Sequence, residues 1–184
     1  MGEFSRIYKT DLSDRQLMGF FGQLKASGRD GITFYNIAPM DEHAFASWVR
    51  SPDVHLWIVL FKNEPCGMVW LTEQQGKTAK IHFATLPQGT RRTKDKLPVV
   101  VGFGLYALAS ILHSQDADAA YLLDRCYGVT PLFNREAVKF IHRVGAMDLA
   151  VLPGACWNWT TEENADGLLT LYTRDTIAAR YLNL

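Results

Sequence analysis

Tyr121-Leu-Leu-Asp-Arg-Cys-Tyr-Gly-Val-Thr-Pro-Leu-Phe-Asn-Arg-Glu-Ala-Val-Lys-Phe-Ile-His-Arg-Val-Gly145 is the stretch whose reading decides the fold. Ala119 to Leu123 is apolar and predicts a strand, followed by a turn punctuated by Gly128 and Pro131. Asn134 then opens an amphipathic helix with Ala137 three residues on. The Asn134 side chain can accept a bond from a free N–H in the first helical turn. Gly145 suits the left-handed position that ends a helix. The unit is strand, capped helix, stop.

Working outward, Ser13 with Gln16 three residues later forms a capping box before Leu17, Phe20, Phe21 and Leu24 at helical spacing. Ile32 to Ile37 is strand-like, and Ile7 to Lys9 competes with it for the place of first strand. Asp41 predicts the cap of a short helix through Ala44, Trp48 and Val49. Val54 to Phe61, Gly67 to Thr72 and Ala79 to Leu86 follow, joined by short turns, and predict an antiparallel meander. A long helix is expected from about Lys94 to His113, with Pro98 in its first turn. Beyond Gly145, Asp148 to Leu152 and Leu168 to Tyr172 predict two further strands, and Thr176 to Leu182 a helical turn. The order predicts an α+β fold, a mixed and mostly antiparallel sheet with helices on both faces, over residues 1–184 as one domain.

Composition narrows the function classes. The chain is 48% hydrophobic and 21% charged with zero formal net charge, an ordinary globular balance that disfavours a surface built for nucleic acid or anionic membrane. Cys66, Cys126 and Cys156 are scattered and odd in number, which suggests neither a disulfide framework nor a zinc knuckle and fits a reducing cytoplasm. The first residues lack a basic segment leading into an apolar one, so no secretory signal is expected. Leu97 to Leu112 carries no charge but falls short of the roughly 20 residues of a membrane span. The histidines other than His82 lack metal-ligand spacing, so no metal is expected.

One stretch departs from this neutrality. Lys77 to Lys96 holds six Lys or Arg against one Asp, a formal +5. A nucleic-acid groove would interleave aromatic residues with such charge, and only Phe83 lies within it. A compact anionic ligand suits the stretch better.

Asn134-x-x-Ala137, the apolar helix face and Gly145 resemble the last βα unit of the GNAT superfamily of N-acyltransferases, as in its divergent or phage-related members. The element order from about Asp41 to Tyr172 is similar as well. The resemblance implies two neighbouring parallel strands that splay apart, Ala79 to Leu86 and Ala119 to Leu123, with acyl-CoA in the gap. It implies that Phe83, Ala84, Thr85 and Leu86 offer backbone N–H groups to the acyl carbonyl, and that Gln88, Gly89, Thr90, Arg91, Arg92, Thr93 and Lys94 form the loop that holds pyrophosphate. Free amides at a helix start, close backbone approach at a glycine and basic side chains all favour such an anion. Asn134 would lie near the CoA arm.

The same resemblance implies transfer of an acetyl group from acetyl-CoA to a small-molecule or peptide amine. His82, mid-strand beside the expected acyl group, is the candidate base, with Glu73 second. Family members often carry a Tyr seven residues after the Asn to protonate the departing thiolate. Ile141 stands there, so Tyr127 is the candidate donor. The loop also lacks the family's spaced glycines. The alternative expectation is a GNAT-like binding or structural module without catalysis.

Overall fold

The computed structural model describes residues 3–35, 40–92, 98–159 and 161–181. Chain order is β1 (Phe4–Tyr8), α1 (Asp14–Ala26), α2 (Asp30–Thr33), α3 (Glu42–Arg50), β2 (His55–Phe61), β3 (Glu64–Gln75), β4 (Thr78–Thr85), α4 (Val99–Leu112), β5 (Arg125–Pro131), α5 (Arg135–Arg143), β6 (Met147–Asn158), β7 (Glu163–Thr173) and α6 (Arg174–Tyr181). The strands form one seven-stranded sheet in the order β1-β2-β3-β4-β5-β7-β6. Every neighbouring pair is antiparallel except β4 and β5, which are parallel.

Each face of the sheet buries its own core. On one face, Phe103, Leu105 and Leu108 of α4 and Ile141 of α5 close over Val69, Leu71, Ile81 and Cys126. On the other, Leu17 and Phe21 of α1 and Phe45 of α3 close over Leu56, Ile58, Met68 and Trp70. Alternation along the strands sends neighbouring residues to opposite cores. Thus Ile81 joins the first core, while His82 stacks on Trp70 of the second, ring centroids 5.1 Å apart and 4° from parallel.

The capping signals in the sequence act as expected. Ser13 and Gln16 form the reciprocal capping box of α1, Asp41 accepts from the Ala44 amide, and Asn134 accepts from the Ala137 amide at 3.1 Å. Gly145 ends α5 with φ +91°, a backbone state that a side chain disfavours. The C-terminal end of α3 is closed by a residue that sequence patterns do not flag. The buried Lys9 ammonium donates to the carbonyls of Val49 (3.1 Å), Ser51 (2.7 Å) and Val54.

Of the two candidates for first strand, the one that includes Ile7 holds: Phe4–Tyr8 pairs with β2, whereas residues 30–33 form a helical turn and 36–39 lie outside the described residues. Three expectations need correction. Ala119 to Leu123 is not a strand. The Asp116 carboxylate accepts from the amides of Asp118 and Ala120, and Ala119 takes φ +60°, so this segment is a tight turn. The strand starts at Arg125 and runs through the residues read as a turn. The long helix begins at Val99, with Pro98 as its N-cap residue, while Lys94 to Leu97 lie outside the described residues. The last two strands form a longer hairpin than expected, Met147–Asn158 with Glu163–Thr173. Among the described residues no helix is long and apolar enough to cross a membrane.

Candidate active site

β4 and β5 pair over only three residues, Thr78 with Arg125, Ala79 with Cys126 and Lys80 with Tyr127. Beyond Lys80 and Tyr127 both strands continue without pairing, so a wedge-shaped slot opens between residues 81–85 and 128–131. Hydrogen-bond parity says which backbone groups face it. Leu86 donates to the Cys66 carbonyl at 3.1 Å, and alternation along an antiparallel ladder then turns Ala84 and His82 toward β3 as well. The N–H groups of Phe83 and Thr85 point the other way, into the slot. On the opposite wall Leu132 donates to Asp166 at 2.9 Å, which turns Val129 and Pro131 toward the slot. A proline inside a strand normally breaks a ladder bond. Pro131 breaks none here, because its nitrogen faces the gap.

The slot holds a cavity of about 100 Å³. His82 and Phe83 line it from β4, Gly128 to Pro131 from β5, and Asn134 and Ala137 from α5. Asn134 uses its side-chain oxygen to cap the helix, which leaves its amide N–H groups as donors. Tyr35 lines the slot too, and its hydroxyl donates to the Val129 carbonyl at 2.5 Å. Sequence patterns had not marked Tyr35, because the residues around it read as a strand.

A second cavity, about 220 Å³, lies on the side of the sheet that carries α3. Phe34, Trp48, Trp70, Thr72, Glu73 and Lys80 line it, and Thr33, Tyr35 and His82 line both cavities. The two spaces therefore adjoin across His82 and Tyr35. At the rim, β3 is irregular between Thr72 and Gln75, and Glu73 takes φ +53°. That left-handed state costs a non-glycine residue about 1–2 kcal/mol. It accompanies a carboxylate gripped from two sides, by Lys80 Nζ at 2.8 Å and the Tyr127 hydroxyl at 2.9 Å.

The electrostatics follow from these contacts. The Lys80 and Tyr127 hydrogen bonds hold the Glu73 carboxyl below its usual range against the opposing effect of burial. Burial, and then the Glu73 carboxylate, push the Tyr127 phenol up to about 12. Burial with the nearby Lys80 charge lowers His82 to about 3, while Glu73 pulls weakly the other way. The imidazole is thus neutral near pH 7, with Nε2 2.9 Å from Thr72 Oγ1. The two catalytic candidates stand apart: His82 borders the slot, whereas Tyr127 sits at its closed end with its proton directed to Glu73.

No family model matches this chain, and no curated protein matches it. Solved structures do. Spermidine N-acetyltransferase from Vibrio cholerae, in complex with CoA and spermine, superposes with a TM-score of 0.70 at 13% identity, covering 97% of this chain and 99% of that one. The N152L mutant of the same enzyme gives 0.68 at 14% identity, covering 98% and 99%. A probable GNAT-family acetyltransferase from Chromobacterium violaceum gives 0.68 at 17% identity, covering 95% and 84%. The chain has the GNAT fold.

The loop that the GNAT resemblance assigns to pyrophosphate is only partly described. Thr93 and Lys94 lie outside the described residues. Pro87–Thr90 form a single helical turn, closed by Thr90 Oγ1 donating to the Pro87 carbonyl at 2.7 Å, with Gln88 half-buried in it. Gly89 is buried, and a Cβ there would lie 2.2 Å from the Cys66 carbonyl oxygen. Its lack of a side chain serves the contact with β3. Arg91 pairs with Glu64 at 2.9 Å, but both side chains are more than half exposed, 66% and 59%. Such a pair contributes about 0–1 kcal/mol, so a phosphate can displace the glutamate at little cost. Arg92 is exposed and bridges to Pro98. Trp157 and Trp159 of the last hairpin meet edge to face at 6.0 Å and line neither cavity.

Proposed function

We propose that this protein transfers an acetyl group from acetyl-CoA to an amine by direct attack. The observation that carries this reading is the slot, where two parallel strands part after Lys80 and Tyr127 and aim the Phe83 and Thr85 N–H groups into the gap. A thioester carbonyl seated there accepts hydrogen bonds that strengthen as its oxygen gains charge during attack. Asn134 and Ala137 flank the same gap and suit the polar arm of the coenzyme. The exposed Arg91 and Arg92 suit its phosphates. Likeness to a fold solved with CoA and spermine supports both partners.

The amine approaches past His82 with its lone pair free. An imidazole lowered to about 3 is a poor store for a proton but a good neutral hydrogen-bond partner, so His82 orients the amine and passes its proton onward through water. The leaving thiolate takes a proton from Tyr127, once that hydroxyl leaves Glu73, or from Tyr35 in the slot. Holding both reactants in adjoining spaces supplies proximity.

A binding role without turnover is the second reading. Ile141 in place of the family's proton-donating Tyr, and a loop without the spaced glycines, favour it. Thermal shift and thiol release separate the two. Acyl transfer predicts that CoA at 100 times its dissociation constant adds about 2.7 kcal/mol of stability. It also predicts amine-dependent release of free thiol from acetyl-CoA. No shift at millimolar CoA contradicts acyl transfer, and a shift without thiol release across an amine panel supports the binding role.

A further inference from the structure

The cavity of about 220 Å³ beside the slot has a composition that selects among amines. Its walls are aromatic. Trp48 and Trp70 meet edge to face at 6.1 Å, and Phe34 stacks on Trp70 at 5.3 Å. Its charged groups cancel: Glu73 is the only carboxylate among the described lining residues, Lys80 is bonded to it, and His82 is neutral. The Lys80 side chain is 13% exposed, so its charge is a fixed part of the wall. A carboxylate already bonded through both oxygens still has lone pairs for one more donor. The cavity therefore accommodates a single ammonium group and an apolar or flat body. A polyamine, which needs a carboxylate for each further ammonium, finds none among these residues and meets the Lys80 charge instead.

We propose that this cavity is the acceptor pocket and that it selects a monoamine carried on an aromatic body. The proposal takes its chemistry from the acyl-transfer reading, but its binding half stands separately. The aromatic ring packs against Trp48 and Trp70, where ring contact and cation–π attraction add to burial. The amine end lies at Glu73, beside His82, which lines the slot as well. In the transfer the amine nitrogen attacks the thioester carbonyl carbon, a C–N bond forms and the C–S bond breaks. The proton lost by the amine balances the one gained by the thiolate, giving an N-acetyl amide and free CoA.

The probes are 2-phenylethylamine and spermidine, tested by calorimetric binding without acetyl-CoA and by thiol release with it. The expected result is that 2-phenylethylamine binds and turns over with kcat/KM at least tenfold above spermidine. Trp48→Ala should raise its KM about tenfold while changing kcat less than threefold. Glu73→Gln, nearly isosteric and with circular dichroism and melting temperature checking the fold, should weaken 2-phenylethylamine binding at least fivefold. Binding that depends on Trp48 and Glu73 with no thiol release supports the pocket and overturns acyl transfer. Thiol release with spermidine at or above the rate for 2-phenylethylamine overturns the selectivity and keeps acyl transfer. Absence of 2-phenylethylamine binding to the unaltered protein at millimolar concentration overturns the pocket.

Discussion

His82 shows how a single position takes its character from its neighbours. Alternation places it on the Trp70 face of β4, stacked on an indole and bonded to Thr72. Burial there disfavours the charged form and lowers the imidazole from its ordinary value of 6.5 to about 3. A histidine whose folded value is depressed binds fewer protons folded than unfolded between those two limits. Its contribution to stability is therefore full above pH 6.5 and is lost as pH falls toward 3. Urea unfolding at a series of pH values should show stability dropping below pH 6.5, with His82 adding a slope of up to about 1.4 kcal/mol per pH unit. His55 is also lowered by burial and contributes in the same sense, so the comparison that isolates His82 is with His82→Gln. The two curves should converge as pH falls. Parallel curves from pH 7 to 4 would show that His82 titrates normally in the folded protein. The position of His82 on the strand was legible in the sequence. Its protonation was not, because that depends on Trp70, Thr72 and Lys80, brought together only by the register of β3 on β4.

At the scale of elements, β5 and α5 form the wall that makes the slot. The capped helix was legible because its signals are local: Asn134 bonds three residues on, and Gly145 ends the helix a few residues later. The preceding strand was misplaced for the opposite reason. Gly128 and Pro131 look like turn residues, and only a strand that lacks a partner on one side tolerates that proline. The absence of a ladder bond on that side is a property of the sheet, invisible in five or six consecutive letters. Asn134→Ala removes the bond to the Ala137 amide and should destabilise the fold by about 1 kcal/mol, whereas Asn134→Asp should retain most of it. Chemical denaturation of the two variants checks this. If the slot reading holds, Asn134→Ala also weakens CoA binding beyond its effect on stability, because it removes an N–H donor from the cavity.

For the whole molecule, the order of apolar segments predicted the sheet with helices on both faces, and the structure has both; the parallel pair came only from the family resemblance, and its second strand is Arg125–Pro131 rather than Ala119 to Leu123. The choice of first strand lay beyond local pattern. Phe34 and Tyr35 favour an extended chain by propensity, yet they turn inward, and Phe34 packs among Phe21, Phe45 and Trp70. Tertiary packing outweighed a local preference worth about 1 kcal/mol at most. The same folding back of residues 30–35 brings Tyr35 into the slot and Phe34 into the adjoining cavity, so the element the sequence misread is the one that joins the two spaces. The neutral overall charge with one local basic segment, Lys77 to Lys96, suits a protein that meets one anionic ligand locally.

A crystal structure of the protein soaked with acetyl-CoA is the deciding measurement. The thioester carbonyl oxygen should lie within hydrogen-bond distance of the Phe83 or Thr85 N–H, with the pantetheine arm between β4 and β5. Coenzyme bound elsewhere, or a slot left empty at saturating coenzyme, would contradict the slot reading.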